Sequence, residues 1–405
     1  CHGYAIAYIP SFVDLTRRNP DGSFPEPTIG PPSNPVQITE LADNNEETIR
    51  FTGGVTLGWN AMDRSDQTLR IVVGGGLDAF DQRNDVWSPT ELFYEQPQTR
   101  PGAAIQSGGR SLFYNWNVNA IHTFLARSFT ATTSFGIQYE DQRLQLDRIV
   151  TEGLLPGQRN VDQGTSTEVF ESLSQERTLA VYLQEELRLL DDRLLILGGL
   201  RAERSSMNGD ASRYYAFPKL SGSYRFFDVL GPGSEIKLRT AYGETGNLPL
   251  FGQKYTTLAT PQIGGEKGLA VSQTAGSPAV EPERLKEIEA GIDGFAMNGR
   301  LTWELTGFVR NSTNLLLQRV PAPSTGYGTQ IFNGGELRNQ GVEIALGYTP
   351  IQTPNAIWVA RGTFTRYTNK VLDLAGQPPF FPAGSGFGNL GRTFIEEGKP
   401  VTQIV

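Results

Sequence analysis

Few side chains in this sequence have the type and spacing that acid–base, nucleophilic or metal chemistry requires. His2 and His122 are the only imidazoles, and His122 falls near the end of a predicted strand, where a hydrogen-bonded structural role is expected. No Gly-x-Ser-x-Gly nucleophile motif occurs. Cys1 is the only cysteine, so the chain can form neither an internal disulfide nor a thiolate metal cluster.

Four glutamates are predicted to share a polar face with basic side chains. The glutamates are Glu186, Glu203, Glu289 and Glu304, and the basic residues are Arg188, Arg201 and Lys237. Two carboxyl groups could act as general acid and base, but carboxylates that face cations are better explained as ion pairs of a wall. We therefore predict that the chain is not an enzyme and that it holds no catalytic residue, no metal and no cofactor.

Seven aromatic side chains in long predicted loops are the candidates for binding a substrate. They are Trp87, Phe93, Tyr94, Phe251, Tyr255, Tyr327 and Phe332. Each lies among Gly, Pro, Ser and Thr, and a flat aromatic face can stack on a sugar ring or pack against a peptide side chain. The alternative interpretation is that these rings only pack the loops against one another.

The stretch RTLAVYLQEELRLLDDRLLILGGLRAERSS, residues 177–206, indicates which secondary structure positions these residues. Its leucines fit the spacing of an amphipathic helix, but its apolar and polar residues also alternate. The same period of two recurs in KLSGSYRF (219–226) and LTWELT (301–306), among many β-branched and aromatic residues. The stretch therefore predicts two strands, each with one apolar and one polar face, joined by a turn at 191–193.

Short and long connections alternate between the predicted strands. The long connections are predicted at 81–111, 148–176, 245–283 and 311–338. Consecutive turns of an antiparallel meander lie at opposite ends, so the long loops share one end, as in an outer-membrane β-barrel with an apolar outside and a polar inside. We predict an all-β, transmembrane, antiparallel up-and-down β-barrel with about twelve strands in this chain. Residues 1–48, rich in proline, would form an irregular lead-in of loop plus strand, and residues 49–405 a partial barrel with long extracellular loops.

Composition agrees with a membrane barrel. A soluble sandwich or propeller would have to bury charged residues such as Arg50, Lys219 and Glu304. Only 38% of the residues are hydrophobic, and no apolar run reaches the ~18 residues of a membrane-spanning helix. Barrel strands cross lipid with about ten residues each, so a polar composition is compatible with a membrane protein. The net charge of −8 argues against nucleic acid as a partner.

Four stretches in the second half of the chain carry a family resemblance. They are LRTAYGETGNLPLFGQKYTTL (238–258), VEPERLKEIEAGIDG (280–294), FNGGELRNQGVEIALGY (332–348) and RYTNKVLDL (366–374). Their order and spacing resemble the C-terminal barrel half of TonB-dependent outer-membrane receptors, most closely the SusC/RagA-like branch, over about 175–405. The resemblance implies a barrel of about 22 strands with an N-terminal plug, a TonB-type energy-coupling protein and often a SusD-like lipoprotein lid.

The chain departs from the family pattern at both ends. It carries no plug or partner-binding segment, and Val405 is not the terminal aromatic residue usual for such barrels. We interpret the chain as an interior portion of a longer receptor, whose energy-coupling partner would act through the missing N-terminal region.

The resemblance implies an importer in the bacterial outer membrane, surrounded by outer-membrane lipid, that takes up nutrients such as oligosaccharides or peptides. Three alternatives remain open: a siderophore or cofactor receptor of the same fold, a passive porin, and a structural surface barrel. They differ from the importer in their ligand or in their need for an energised partner.

Overall fold

The computed structural model describes residues 9–10, 12–30, 32–263, 266–381 and 391–403, and Cys1 and His2 lie outside these ranges. The strands are β1 (Asp43–Asp63), β2 (Gln67–Ser88), β3 (Ala103–Leu125), β4 (Phe129–Leu154), β5 (Gly164–Leu189), β6 (Leu194–Ser205), β7 (Tyr215–Phe227), β8 (Glu235–Asn247), β9 (Leu258–Ala259), β10 (Gln262–Ile263), β11 (Glu266–Lys267), β12 (Ala270–Val271), β13 (Thr274–Ala275), β14 (Glu283–Ala296), β15 (Leu301–Arg319), β16 (Thr329–Thr353) and β17 (Ala356–Asp373). The helical elements of the described ranges are α1 (Pro35–Leu41) and a 3₁₀ turn at Pro323–Thr325. None of these described helical elements is long and apolar enough to cross a membrane.

Twelve long strands form one sheet in chain order. They are β1 to β8 and β14 to β17, and each lies beside the long strand that precedes it. The registers from β5 to β8 and from β14 to β17 are antiparallel. The short β13 adds a parallel pairing with the first residues of β16. A sheet in which each long strand pairs with its sequence neighbours is an up-and-down meander, so the predicted fold class is confirmed.

The chain divides into two compact units. The first unit consists of residues 1–55, 76–115 and 141–175. The second unit consists of residues 56–75, 116–140 and 176–405. The first contains α1 and the connection between β2 and β3, whereas the second contains β6, β7, β8 and β14 to β17 with their connections.

The registers of the second unit separate an apolar face from a polar face. One row of directly paired residues crosses eight strands and is apolar throughout: Leu189, Leu194, Tyr224, Leu238, Ile292, Leu305, Ile344 and Phe364. The adjacent row on the other face is mainly polar: Arg225, Lys237, Asp293, Glu304, Ala345 and Thr363. Side chains alternate along each strand, so shifting the pairing of two strands by one residue would exchange their faces. The observed register keeps apolar residues opposite apolar residues, which gives the wall the predicted apolar and polar sides.

Ion pairs cover the polar face. Arg239 is the centre of one group, since its guanidinium lies 2.9 Å from both Glu289 and Asp293 and donates to the Thr306 hydroxyl at 2.5 Å. The predicted wall pairing of carboxylates is therefore found at Glu289. It is also found at Glu186 and Glu203, which the side chains of Arg188 and Arg201 approach to 2.9 and 2.6 Å. These contacts join residues of one strand or of neighbouring strands.

Several strands are longer than the hydrophobic alternation predicts. The predicted loops at 81–111, 148–176 and 311–338 are wrong in extent, because β2 to β5, β15 and β16 continue into them. The apolar face becomes polar there, as where Arg110 pairs with Asp81 at 2.8 Å. The backbone ladder continues after the apolar pattern has ended, so periodicity alone marks only the apolar part of each strand.

The predicted turn between β5 and β6 is confirmed. Three consecutive residues without glycine, Leu190, Asp191 and Asp192, have φ of 56°, 53° and 62°. The amide of Arg193 donates to the carbonyl of Leu190 at 3.2 Å and closes the turn. Aspartate tolerates the left-handed region better than most residues, which explains the Asp-Asp pair at this position.

Gly136 in β4 allows a close approach on the polar face, which generates a stability prediction. A Cβ at Gly136 would lie 2.2 Å from the Tyr182 ring, whose hydroxyl donates to Asn119 Oδ1 at 2.7 Å. We expect Gly136→Ala to lower the free energy of unfolding of the full receptor by ~1–3 kcal/mol, as overpacking does. Gly243→Ala is the matched control, because a Cβ at Gly243 meets no atom within 4 Å. Equal denaturant midpoints for both variants in detergent would contradict this account.

Candidate functional site

A single buried amide organises the lead-in segment of the first unit. Asn34 caps α1, accepting hydrogen bonds from the amides of Val36 at 2.9 Å and Gln37 at 3.2 Å. Pro35 follows at the first helical position, where its missing N–H is not needed. The Asn34 Nδ2 group also donates to the carbonyls of Leu15 and Pro25, at 3.1 and 2.9 Å. One side chain therefore both starts the helix and fixes the extended chain before it.

The loop between β2 and β3 is fixed to this helix. Gln37 Nε2 donates to the Glu91 carbonyl at 2.9 Å, and the Phe93 amide donates to Gln37 Oε1 at 3.1 Å. Leu92 is fully buried beside these hydrogen bonds. Tyr94 shares a hydrogen bond of 2.9 Å with the Ser88 hydroxyl, and burial raises the pKa of the Tyr94 phenol. Phe93 and Tyr94 are therefore presented, half-buried, by a braced loop.

Trp87 lies in β2 and not in a loop, so its predicted placement is wrong. The reason is the continuation of the strand beyond the apolar alternation. The Trp87 indole N–H donates to the Gln158 carbonyl at 2.8 Å, and the Arg159 guanidinium lies 3.9 Å from the ring centroid. Arg159 also forms an ion pair with Asp43. Trp87 thus lines a cleft of about 400 Å³ and holds the connection between β4 and β5 in place.

Three connections of the second unit form one loop cluster. Its segments are 206–214, 248–282 and 320–328. The Lys254 ammonium donates to the carbonyls of Ser206 and Asn208, at 2.6 and 3.2 Å. The amide of Gly328 donates to the Gln273 carbonyl at 2.9 Å, which joins the second segment to the third. Backbone and charge-assisted hydrogen bonds therefore hold all three segments together.

Asn333 in β16 is a bracing residue of this cluster that sequence reasoning missed. Its Oδ1 accepts from the Glu281 amide at 2.9 Å, and its Nδ2 donates to the Glu281 carbonyl at 2.8 Å. Nδ2 also donates to the Asn314 carbonyl at 3.1 Å. The sequence gives no sign of this role, because no local pattern indicates a partner 52 residues away.

The remaining predicted aromatic residues belong to the second unit and differ in exposure. Phe251 and Tyr255, on the 248–282 segment, are 52% and 58% exposed. Tyr327 lies half-buried on the 320–328 segment. Phe332 lies in β16 and not in a loop, again because the strand is longer than its alternation, and the Arg319 guanidinium is 5.0 Å from its ring. Of the seven predicted aromatic residues, Phe251 and Tyr255 are thus the two that are exposed in this loop cluster.

The described loops present exposed aromatic side chains beside polar groups. Exposed rings lie on loops that hydrogen bonds hold in place, and polar groups such as the Lys254 ammonium lie beside them, 5.2 Å from the Tyr255 ring centroid. His122 shares a hydrogen bond with Gln67 at 3.3 Å, as expected for a structural histidine. Within the described ranges no group of His, Cys, Asp and Glu side chains could hold a metal ion.

The meander, its two faces and its braced loops define a β-barrel receptor of the bacterial outer membrane. The chain belongs to the family described as TonB dependent receptor-like, beta-barrel, whose pattern matches residues 6–395. Within that family it is SusC/RagA-like, as predicted. Over 98% of its length it has the fold of one chain of the RagAB peptide transporter, with a TM-score of 0.79 at 17% sequence identity, and covers 44% of that chain.

Two curated relatives agree with this assignment. The chain is 28% identical to TonB-dependent receptor P26 of Formosa agariphila over 196 residues, which is 46% of this chain and 20% of that protein. It is 25% identical to TonB-dependent receptor SusC of Bacteroides thetaiotaomicron over 225 residues, which is 49% of this chain and 21% of that protein. The aligned part of this chain therefore spans about a fifth of the length of these relatives.

The environment of Glu95 should make the stability of the loop between β2 and β3 depend on pH. Burial raises the pKa of its carboxyl group, a hydrogen bond of 3.0 Å from the Gly102 amide opposes this, and the Glu152 carboxylate raises the pKa further. The folded loop therefore binds the proton more tightly than the opened loop. It should lose stability as the pH rises from the ordinary glutamate range through the raised pKa.

The measurement is amide hydrogen exchange at Gly102 in the full receptor, corrected for the intrinsic pH dependence of exchange. Glu95→Gln keeps an oxygen acceptor for the Gly102 amide but does not titrate, so its protection should be almost independent of pH. Glu91→Gln removes an exposed carboxylate from the same loop and is the matched control. An unchanged pH dependence in Glu95→Gln would assign the effect to another group.

Proposed function

We propose that the chain is the wall and part of the recognition surface of a TonB-dependent importer of nutrients such as oligosaccharides or peptides. The observation that carries the proposal is the exposed pair Phe251 and Tyr255 on a loop cluster held by Lys254 and Asn333. Open aromatic faces on fixed loops suit sugar rings and peptide side chains. The RagAB protein of the same fold is described as a peptide transporter, which supports this substrate class.

A lipoprotein lid of the SusD type is the proposed extracellular partner, and a TonB-type protein the proposed source of energy. The length of the strands supports the proposal of a lipoprotein lid. β16 has 25 residues, which extends roughly 80 Å at about 3.3 Å per residue, whereas an apolar band of about 25 Å needs only about ten residues per strand. The excess forms a raised rim on which a second protein can rest.

The apolar face is proposed to contact outer-membrane lipid. Its residues are unusually exposed for large apolar side chains, as illustrated by Leu346 and Phe364 at 55% each. An apolar row that crosses eight strands would be unfavourable in water, and hydrocarbon removes this cost.

Adjacent positions of β17 test the proposed lipid contact. Phe364 lies opposite Ile344 on the apolar face, and Thr363 lies opposite Ala345 on the polar face that also carries Glu343. We expect Phe364→Arg to destabilise the full receptor in lipid bilayers by ~1–2 kcal/mol, less than the ~2–4 kcal/mol of a midplane position because Phe364 lies toward the extracellular part of the apolar face, and Thr363→Arg by less than about 1 kcal/mol. The free energy of unfolding measured by denaturant titration decides the question, and similar losses at both positions would contradict the sidedness.

The aromatic pair tests the proposed recognition surface. Stacking contributes ~0.5–1.5 kcal/mol per ring beyond buried area, so replacing Phe251 and Tyr255 together by Ala should weaken binding of the cognate nutrient about tenfold or more. Leu269→Ala is the matched control, since Leu269 is an exposed apolar residue of the same segment without a flat ring. Binding of defined oligosaccharides and defined peptides to the purified full receptor would be measured by calorimetry.

Uptake by intact cells, with and without the inner-membrane proton gradient, separates the candidate functions. An importer requires the gradient and the aromatic pair. Uptake that does not need the gradient would identify a passive porin. Equal binding by the double variant and wild type would mean that other parts of the receptor recognise the nutrient. The seven predicted aromatic residues remain a prediction, of which Trp87 is the member most engaged in structural contacts.

A further inference from the structure

The apolar face of β15, β16 and β17 contains a groove that the importing function does not use. Its volume is about 460 Å³, and its floor and sides include Gly307, Val309 and Val342. The register pairs Gly307 with Val342 and Val342 with Arg366, so these residues share one face. A Cβ at Gly307 would meet no atom within 4 Å, which means that the missing side chain is what opens the groove.

The groove continues into a polar cleft of about 350 Å³. The two cavities share Gln340 and Thr368, and the second is also lined by Arg338 and Lys370. The segment after β17 closes this cleft, where Gly398 donates its amide to the Val371 carbonyl at 2.8 Å. One continuous depression is therefore apolar in its first part and cationic in its second.

Three cations of this depression lack acidic partners. They are Arg338, Arg366 and Lys370, and none has a carboxylate within ion-pair distance among the described residues. Arg338 donates through Nε to Asn311 Oδ1 at 2.9 Å, which leaves its terminal nitrogens available. By contrast, Arg310 on the polar face of β15 is paired with Glu287 at 2.8 Å. Arg338, Arg366 and Lys370 thus form a group of unpaired cations on the apolar face of β16 and β17.

The position of the cations matches the edge of an apolar layer. Arg366 follows Trp358 by eight residues along β17, which corresponds to roughly 20 Å of height for a strand tilted by about 40°. The other end of β17 is the two-residue turn after β16, and short turns of such barrels face the periplasm. Arg366 and Lys370 therefore lie toward the extracellular edge of the apolar face.

We propose that this depression binds a phosphate-bearing lipid of the outer leaflet. An acyl chain fills the groove over Gly307, and the headgroup phosphate accepts hydrogen bonds from Arg338, Arg366 and Lys370. Charge complementarity selects this occupant, because an apolar channel that ends at unpaired cations fits an amphiphile with an anionic headgroup. A soluble anion would leave the apolar groove empty, and an uncharged lipid would leave the cations unpaired.

The inference rests on the proposed contact of the apolar face with lipid, and the test separates the two. The full receptor, purified in a mild nonionic detergent, is titrated with monophosphorylated lipid A and with the same lipid after enzymatic removal of its phosphate. Bound lipid is counted by native mass spectrometry. The variants are the double substitution Arg366→Gln with Lys370→Gln, the groove-filling Gly307→Leu, and the control Arg361→Gln on the polar face of β17.

Wild type should bind the phosphorylated lipid at least about tenfold more tightly than the dephosphorylated lipid, and the double variant should lose that preference. Gly307→Leu should weaken both lipids, and Arg361→Gln should behave as wild type. If wild type binds the two lipids equally well, the proposed phosphate site is wrong. That result would leave the lipid contact of the apolar face untouched, because Phe364→Arg tests the contact separately. Loss of binding in Arg361→Gln as large as in the double variant would also overturn it, since binding would then follow total charge. Inorganic phosphate that displaces the lipid completely would assign the site to a free anion.

Discussion

The structure depends on one constraint, the lateral pairing of backbone groups between neighbouring strands in a wall that is one sheet thick. In an apolar layer each unpaired N–H or C=O would cost several kcal/mol, so the strands pair continuously and in chain order. Continuous pairing fixes the register, and the register fixes which side chains face which side. The row from Leu189 to Phe364 and the neighbouring row from Arg225 to Thr363 are two results of the same ladder.

In the connections between the strands, side-chain hydrogen bonds replace the backbone ladder as the source of order. Asn34, Gln37 and Asn333 each use both ends of a side-chain amide to join segments that are distant in sequence. An amide side chain carries donors and an acceptor on a short stem, so one residue can satisfy several backbone groups of a loop. In the second unit, Asn333 and Lys254 restrict the segment that carries Phe251 and Tyr255, which would lower the entropy cost if these rings bound a ligand.

The wall was predictable from the sequence because its determinants are local. Alternation of side chains, the Asp191 and Asp192 turn and the order of short and long connections all repeat along the chain, and the resemblance in 175–405 led to the correct family. Strand ends were not predictable, since the apolar pattern stops at residues such as Asp81 and Arg110 while the backbone pairing continues. Trp87 and Phe332 were misplaced for this reason. The partners of Asn333 and Lys254 were also not predictable, because no local pattern encodes contacts over about fifty residues.

The two hydrogen bonds that Lys254 donates make the chemical reactivity of its amine a measure of how well the loop cluster is held together. The Lys254 side-chain nitrogen donates to the carbonyls of Ser206 and Asn208, so these contacts engage the atom that an amine-selective reagent must reach. Acylation at Lys254 requires the nitrogen to leave those carbonyls, so the labelling rate would report how often the 206–214 and 248–282 segments separate. Few of the 35 basic residues of the chain are lysines, so labelling at this one site can be followed by peptide mass in living cells. Labelling of Lys254 would therefore measure how firmly these two loop segments are held together.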